Sequence, residues 1–103
     1  MAKLNGIRKT KDGIDIYASS DFEGMRRAGA VAAKILDDVI EVIEPGQATA
    51  TIDNFVEQKI AEYGVTSATI GYRGYQHATC ISVNHVVCHG IPGDKKIMDG
   101  DIL

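Results

Sequence analysis

The chain has 103 residues, two cysteines and a formal net charge of -3, with 45% hydrophobic and 24% charged residues. That is the size and composition of one small globular domain, and it excludes a disordered chain, a collagen-like repeat and a low-complexity linker. The acidic balance leaves no basic attraction for DNA or an acidic membrane, and no apolar run approaches the ~18 residues of a membrane-spanning helix.

Residues 1–19 read as a polar amino-terminal extension without the apolar core of a signal peptide. Within it Ile14-Asp15-Ile16-Tyr17 alternates, as a short edge strand or a mobile tail would. Ser20-Asp21-Phe22-Glu23 fits a capping box. Phe22, Met25, Ala28, Ala32, Ile35, Leu36, Val39, Val42 and Ile43 then recur at helical spacing until Pro45-Gly46 stops the helix. Thr49 or Thr51 is the expected cap of a second helix, with Ile52, Val56, Ile60 and Tyr63 as its stripe and Gly64 after its end. Nine of the 14 acidic residues lie in residues 21–62, which reads as two solvated helix faces.

From residue 65 the period changes. Segments 66–70, 78–83 and 86–88 read as strands, with turns at Asn84-His85, Pro92-Gly93-Asp94 and Asp99-Gly100-Asp101. Asp101-Ile102-Leu103 reads as the beginning of a further strand. The fold class is therefore α/β (α+β), two helices packed on an antiparallel sheet.

Two kinds of chemistry are testable in the cluster of His77, Cys80, His85, Cys88 and His89, and a third in the loop before it. Structural zinc sites use close ligand pairs such as C-x-x-C, and none is present. Cys88 and His89 are adjacent, so on a strand they face opposite ways and do not form a nucleophile–base pair. Gly71-Tyr72-Arg73-Gly74 matches a nucleic-acid-clamping GxxG loop, with a single Arg in support. Two cysteines without a signal peptide point to a cytoplasmic protein with reduced thiols.

Read in order, the motifs are more specific. Met25-Arg26-Arg27-Ala28-Gly29, Pro45-Gly46 with Thr49 and Ile52-Asp53, Gly71-Tyr72-Arg73-Gly74-Tyr75, Cys80-Ile81-Ser82-Val83-Asn84, Val86-Val87-Cys88-His89-Gly90-Ile91-Pro92 and Asp99-Gly100-Asp101-Ile102 closely resemble type I methionine aminopeptidases over residues 20–103. Gln76, His85 and Thr69 depart from the residues common there, which are Pro, Glu and Cys.

The resemblance implies the amino-terminal half of a pita-bread fold, in an enzyme of roughly twice this length or more. That enzyme removes the initiator methionine from nascent chains, in association with the ribosome. His89 matches the histidine that hydrogen-bonds the substrate and the tetrahedral intermediate. Tyr72, Tyr75, Cys80 and Thr69 match the pocket for the methionine side chain. Such a pocket suits a thioether because it is apolar and aromatic-lined. Asn84 and the carbonyl of Val86 match part of a monovalent-cation site. The family's two divalent ions (Co, Mn, Fe or Zn) are held by two Asp, one His and two Glu, all matching positions after Leu103. The chain alone is thus expected to bind no metal, to be inactive, and to self-associate through the face the second half would cover. The other readings are a non-catalytic stub that binds a partner or nascent chain, and a small metal- or RNA-binding module.

Overall fold

The computed structural model describes residues 8–103. A hairpin opens the described chain. Strand β1 (Arg8–Lys9) pairs antiparallel with β2 (Asp15–Ile16), in the register Arg8 to Ile16 and Lys9 to Asp15. Lys9 Nζ reaches Asp15 Oδ1 at 2.5 Å across the pair. The alternating segment 14–17 is thus a strand at its centre.

Helix α1 (Ser19–Val39) follows at once. Its cap is Ala18, not Ser20. Asp21 makes the difference, because its carboxylate accepts from the Ala18 N–H at 2.8 Å and so closes the first turn two residues earlier. After Val39 the chain tightens into a 3₁₀ turn, Ile40–Val42, before Pro45-Gly46 ends it.

Helix α2 (Thr49–Glu62) starts without a side-chain cap. The cap residue is Ala48, and neither Thr49 nor Thr51 fills that place. Its free N–H groups find distant carbonyls instead. Thr49 N donates to Lys95 O and Ala50 N to Gly93 O, each at 2.9 Å. The buried Thr49 hydroxyl also accepts from Gly93 N at 2.8 Å. Backbone from 93–95 therefore does what a capping side chain usually does. At the other end Gly64, with φ +68, occupies the left-handed position expected after the helix.

The core lies where the two helices meet segment 93–98. Ile35 and Val39 of α1 pack with Ile52 and Val56 of α2 and with Ile97. Ile97 is carried there by two backbone bonds, Gly46 N to Ile97 O at 2.7 Å and Ile97 N to Gln47 O at 2.8 Å. Much of α1 faces outward, with Phe22, Met25 and Leu36 all exposed.

The fold class is as expected, two helices with a two-stranded antiparallel sheet, but the strands are β1 and β2. Segments 66–70, 78–83 and 86–88 are not strands. Their backbone bonds are single ties rather than a ladder, Ile81 N to Gly90 O at 2.7 Å and Asn84 N to Ile102 O at 2.8 Å. Across the turn itself only Val86 N bonds to Val83 O, at 3.1 Å, and Asn84 N is taken by Ile102, so no ladder forms between the two arms. The turns at 84–85 and 99–100 are present as read.

Candidate functional site

The pocket residues suggested by sequence sit on segment 65–80, whose only regular element is a 3₁₀ turn, Tyr72–Gly74. Such a loop holds one shape only through its tethers. Thr69 Oγ1 donates to His77 O at 2.7 Å, and Tyr75 Oη donates to Thr79 O at 2.6 Å. The Cys80 thiol donates to Tyr75 Oη at 3.6 Å. Thr69, Tyr75 and Cys80 are thus brought into one connected wall. Desolvation, then the contact with Cys80, pushes the Tyr75 phenol up to about 12. The hydroxyl is therefore a standing donor at neutral pH. Tyr72 lies on the same loop but is exposed, with the Arg73 guanidinium 5.5 Å from its ring centre.

His89 stands apart from this wall in sequence and is exposed. Its backbone is left-handed, with φ +54, a conformation that few side-chain-bearing residues adopt without cause. Its neighbour is clamped. Gly90 O accepts from Ile81 N at 2.7 Å, and Gly90 N donates to Ser82 Oγ at 3.1 Å. His85, Val86, Gly90 and Ile91 line a small pocket of about 240 Å³ with Thr49 and Lys95.

Asn84 is also left-handed, with φ +53. Its side-chain amide is engaged on both atoms, Nδ2 donating to Asp101 Oδ1 at 2.9 Å and Oδ1 accepting from Ile102 N at 3.0 Å. The bond from Asn84, then that from the Met98 N–H, holds the Asp101 carboxyl below its ordinary range.

Three residues without a role in the sequence reading, Asp53, His77 and Thr79, stand behind the wall. Asp53, on α2, is only 2% exposed. It accepts from Thr79 N at 2.9 Å and from Thr79 Oγ1 at 2.6 Å, and its other oxygen lies 3.1 Å from His77 Nδ1. The acidic middle is thus not all solvated face. The signal was an acid placed among Thr49, Ile52 and Val56 on the buried face of α2. Above the wall a groove of about 400 Å³ runs between α1, α2 and segment 65–69, lined by Val31, Ile35, Leu36, Val56, Ile60 and Val65 among others.

Among the described residues, no three His, Cys, Asp or Glu side chains stand together as a metal site. Cys80 and Cys88 are both free thiols. No described helix is long and apolar enough to cross a membrane.

Comparisons with known proteins show which family the chain is similar to. Residues 23–103 match the model of metallopeptidase family M24. The methionine aminopeptidase of Salmonella typhimurium is 46% identical over 92 residues, covering 87% of this chain and 35% of that protein. The Escherichia coli K12 enzyme is 44% identical with the same coverage. The crystal structure of the Rickettsia prowazekii methionine aminopeptidase superposes with a TM-score of 0.80 at 37% identity, over 84% of this chain and 35% of that one. The Thermotoga maritima methionine aminopeptidase gives 0.78 at 36% identity, over 92% and 36%. The chain spans about a third of the length of these relatives. With the family model matching most of its length, this chain belongs to metallopeptidase family M24, and its homologues are methionine aminopeptidases.

Proposed function

We propose that this chain carries the substrate-facing part of a metallo-aminopeptidase that removes the initiator methionine from nascent chains. The observation that carries the reading is the connected wall of Thr69, Tyr75 and Cys80. In this reading they and Tyr72 surround the methionine side chain. The apolar faces of the rings and the thiol suit a polarizable thioether. His89 donates a hydrogen bond to the peptide carbonyl oxygen as charge develops on it. Asn84 and Val86 contribute carbonyl oxygens to a monovalent-cation site. In this reading these residues bind and orient the substrate, and the divalent metal of the family supplies the activation of water.

Residues 20–103 act in this reading as the amino-terminal half of a pita-bread domain, and residues 1–19 as an extension to it. The setting is the cytoplasm, beside the ribosome. Alone, the chain releases no methionine and self-associates, a second copy covering the apolar groove.

The test uses a Met-Ala-Ser peptide with added divalent metal. The chain by itself is expected to release no methionine. A chimera in which residues 20–103 replace the matching third of the E. coli relative is expected to release it. His89→Ala in that chimera lowers kcat about 100-fold. Release by the chain alone would overturn its inactivity, and an unaffected His89→Ala chimera would overturn the site. Light scattering that shows a monomer at high concentration would overturn the self-association.

A further inference from the structure

We infer that Asp53 is the positioning residue of the pocket wall. Its buried carboxylate holds Thr79 and His77, and through them Thr69, Tyr75 and Cys80. The inference rests on the wall being the methionine pocket proposed above.

A carboxylate that is 2% exposed needs hydrogen-bond donors to offset its lost hydration. Asp53 has them from a single short segment. Thr79 supplies two, its N–H at 2.9 Å and its hydroxyl at 2.6 Å, both to Oδ1. His77 Nδ1 lies 3.1 Å from Oδ2, and since an ionised carboxylate only accepts, Nδ1 carries the proton of that bond.

The partners of Asp53 are also the attachment points of the wall. Thr69 is bonded to the His77 carbonyl, and Tyr75 to the Thr79 carbonyl. The Tyr75 ring meets the His77 ring edge-on with centroids 5.4 Å apart. Cys80 follows Thr79 directly and leans on Tyr75 Oη. Thr69, Tyr75 and Cys80 are each tied to residue 77 or 79, or to a neighbour so tied.

Asp53 itself stands on α2, whose first turn is locked to segment 93–95. The arrangement is therefore a rigid helix, one buried acid, two clamped loop residues and three wall residues. Its placing of the wall acts on substrate fit rather than on the chemical step.

The two free cysteines make this measurable in the full chain, because both are exposed and only Cys80 belongs to the wall. Iodoacetamide alkylation is followed at each by peptide mass spectrometry. Thr79→Val removes the hydroxyl bond to Asp53 and keeps the N–H bond. It is expected to speed Cys80 alkylation about fivefold, the factor set by one ordinary hydrogen bond. Cys88 should not change, and Thr79→Ser should restore the parent rate. Asp53→Asn, which keeps the acceptor for Thr79 but loses the one for His77 Nδ1–H, should speed Cys80 by a smaller factor.

An unchanged Cys80 rate in Thr79→Val overturns the inference. So does an equal rise at both cysteines, which would show general loosening. In the chimera with the E. coli remainder, Thr79→Val is expected to raise KM for Met-Ala-Ser about fivefold with kcat unchanged. A fall in kcat alone also overturns the positioning role. A chimera that releases no methionine counts against the proposed function, and the alkylation result then decides the clamp by itself.

Discussion

Gly90 lies against Ile81 so closely that a Cβ on residue 90 would stand 2.1 Å from the Ile81 carbonyl oxygen. The obstacle is backbone, itself fixed by the bond from Ile81 N to Gly90 O. No side chain can fit there without separating the two segments. This close approach fixes the backbone that presents His89.

Gly90→Ala is expected to lower stability by about 2–3 kcal/mol, the upper range for forced overpacking. Gly29, inside α1, has open space where a Cβ would stand, with nothing within 4 Å. Gly29→Ala should therefore raise stability by about 0.5–1 kcal/mol through helix propensity alone. Urea unfolding of the two variants, one shifted down and one up, checks the contrast.

The left-handed backbone of His89 (φ +54) predicts a trade between stability and function. His89→Gly should stabilise the chain by about 1 kcal/mol, because glycine adopts this conformation without strain. In the chimera with the E. coli remainder, the same change should remove about 100-fold of kcat. A destabilised His89→Gly would show that the imidazole supports the fold instead.

Alkaline pH should weaken the junction of the two helices. The hydrogen bond to Asp38 pushes the Tyr63 phenol from 10.0 up to about 12. A raised folded value means the neutral phenol is favoured in the folded state. The contribution is complete below pH 10 and is lost as pH rises from about 10 to about 12. Tyr63→Phe should reduce this loss in a pH series of thermal melts. It should not abolish it, because Tyr75 is also pushed up to about 12.

Acid should act at the other end. Asp101 accepts from the Asn84 amide and from Met98 N, which lowers its carboxyl below 3.8. A lowered folded value stabilises the fold above the unfolded pKa, and that stability is lost as pH falls below 3.8. Protection of the Ile102 and Met98 amides, measured as exchange relative to the intrinsic rate at each pH, should fall through this window. In Asp101→Asn, which keeps one oxygen acceptor of the two, protection should be lower already at neutral pH.

The helices were legible because their signals are local. Apolar spacing, Pro45-Gly46 and Gly64 mark them, and each acts within a turn or two of the residue that carries it. The cap positions were misread where a competitor lay nearby or far off. Asp21 displaced Ser20 within the same turn, whereas segment 93–95 replaced a side-chain cap from more than forty residues away. The strands at 78–88 were misread because residue pattern records the tendency to extend and not the presence of a partner.

The candidate site divides in the same way. The order of motifs from Met25 to Ile102 marks the family, and the resemblance points to Thr69, Tyr72, Tyr75, Cys80, Asn84, Val86 and His89 as candidate site residues. Only the tertiary structure decided what holds them. The bonds from Asp53 to His77 and Thr79 span 24 and 26 residues, and nothing in the spacing of those residues announces them. A buried carboxylate takes whatever donors the folded chain brings to it, and that choice is made only when α2 packs beneath the loop.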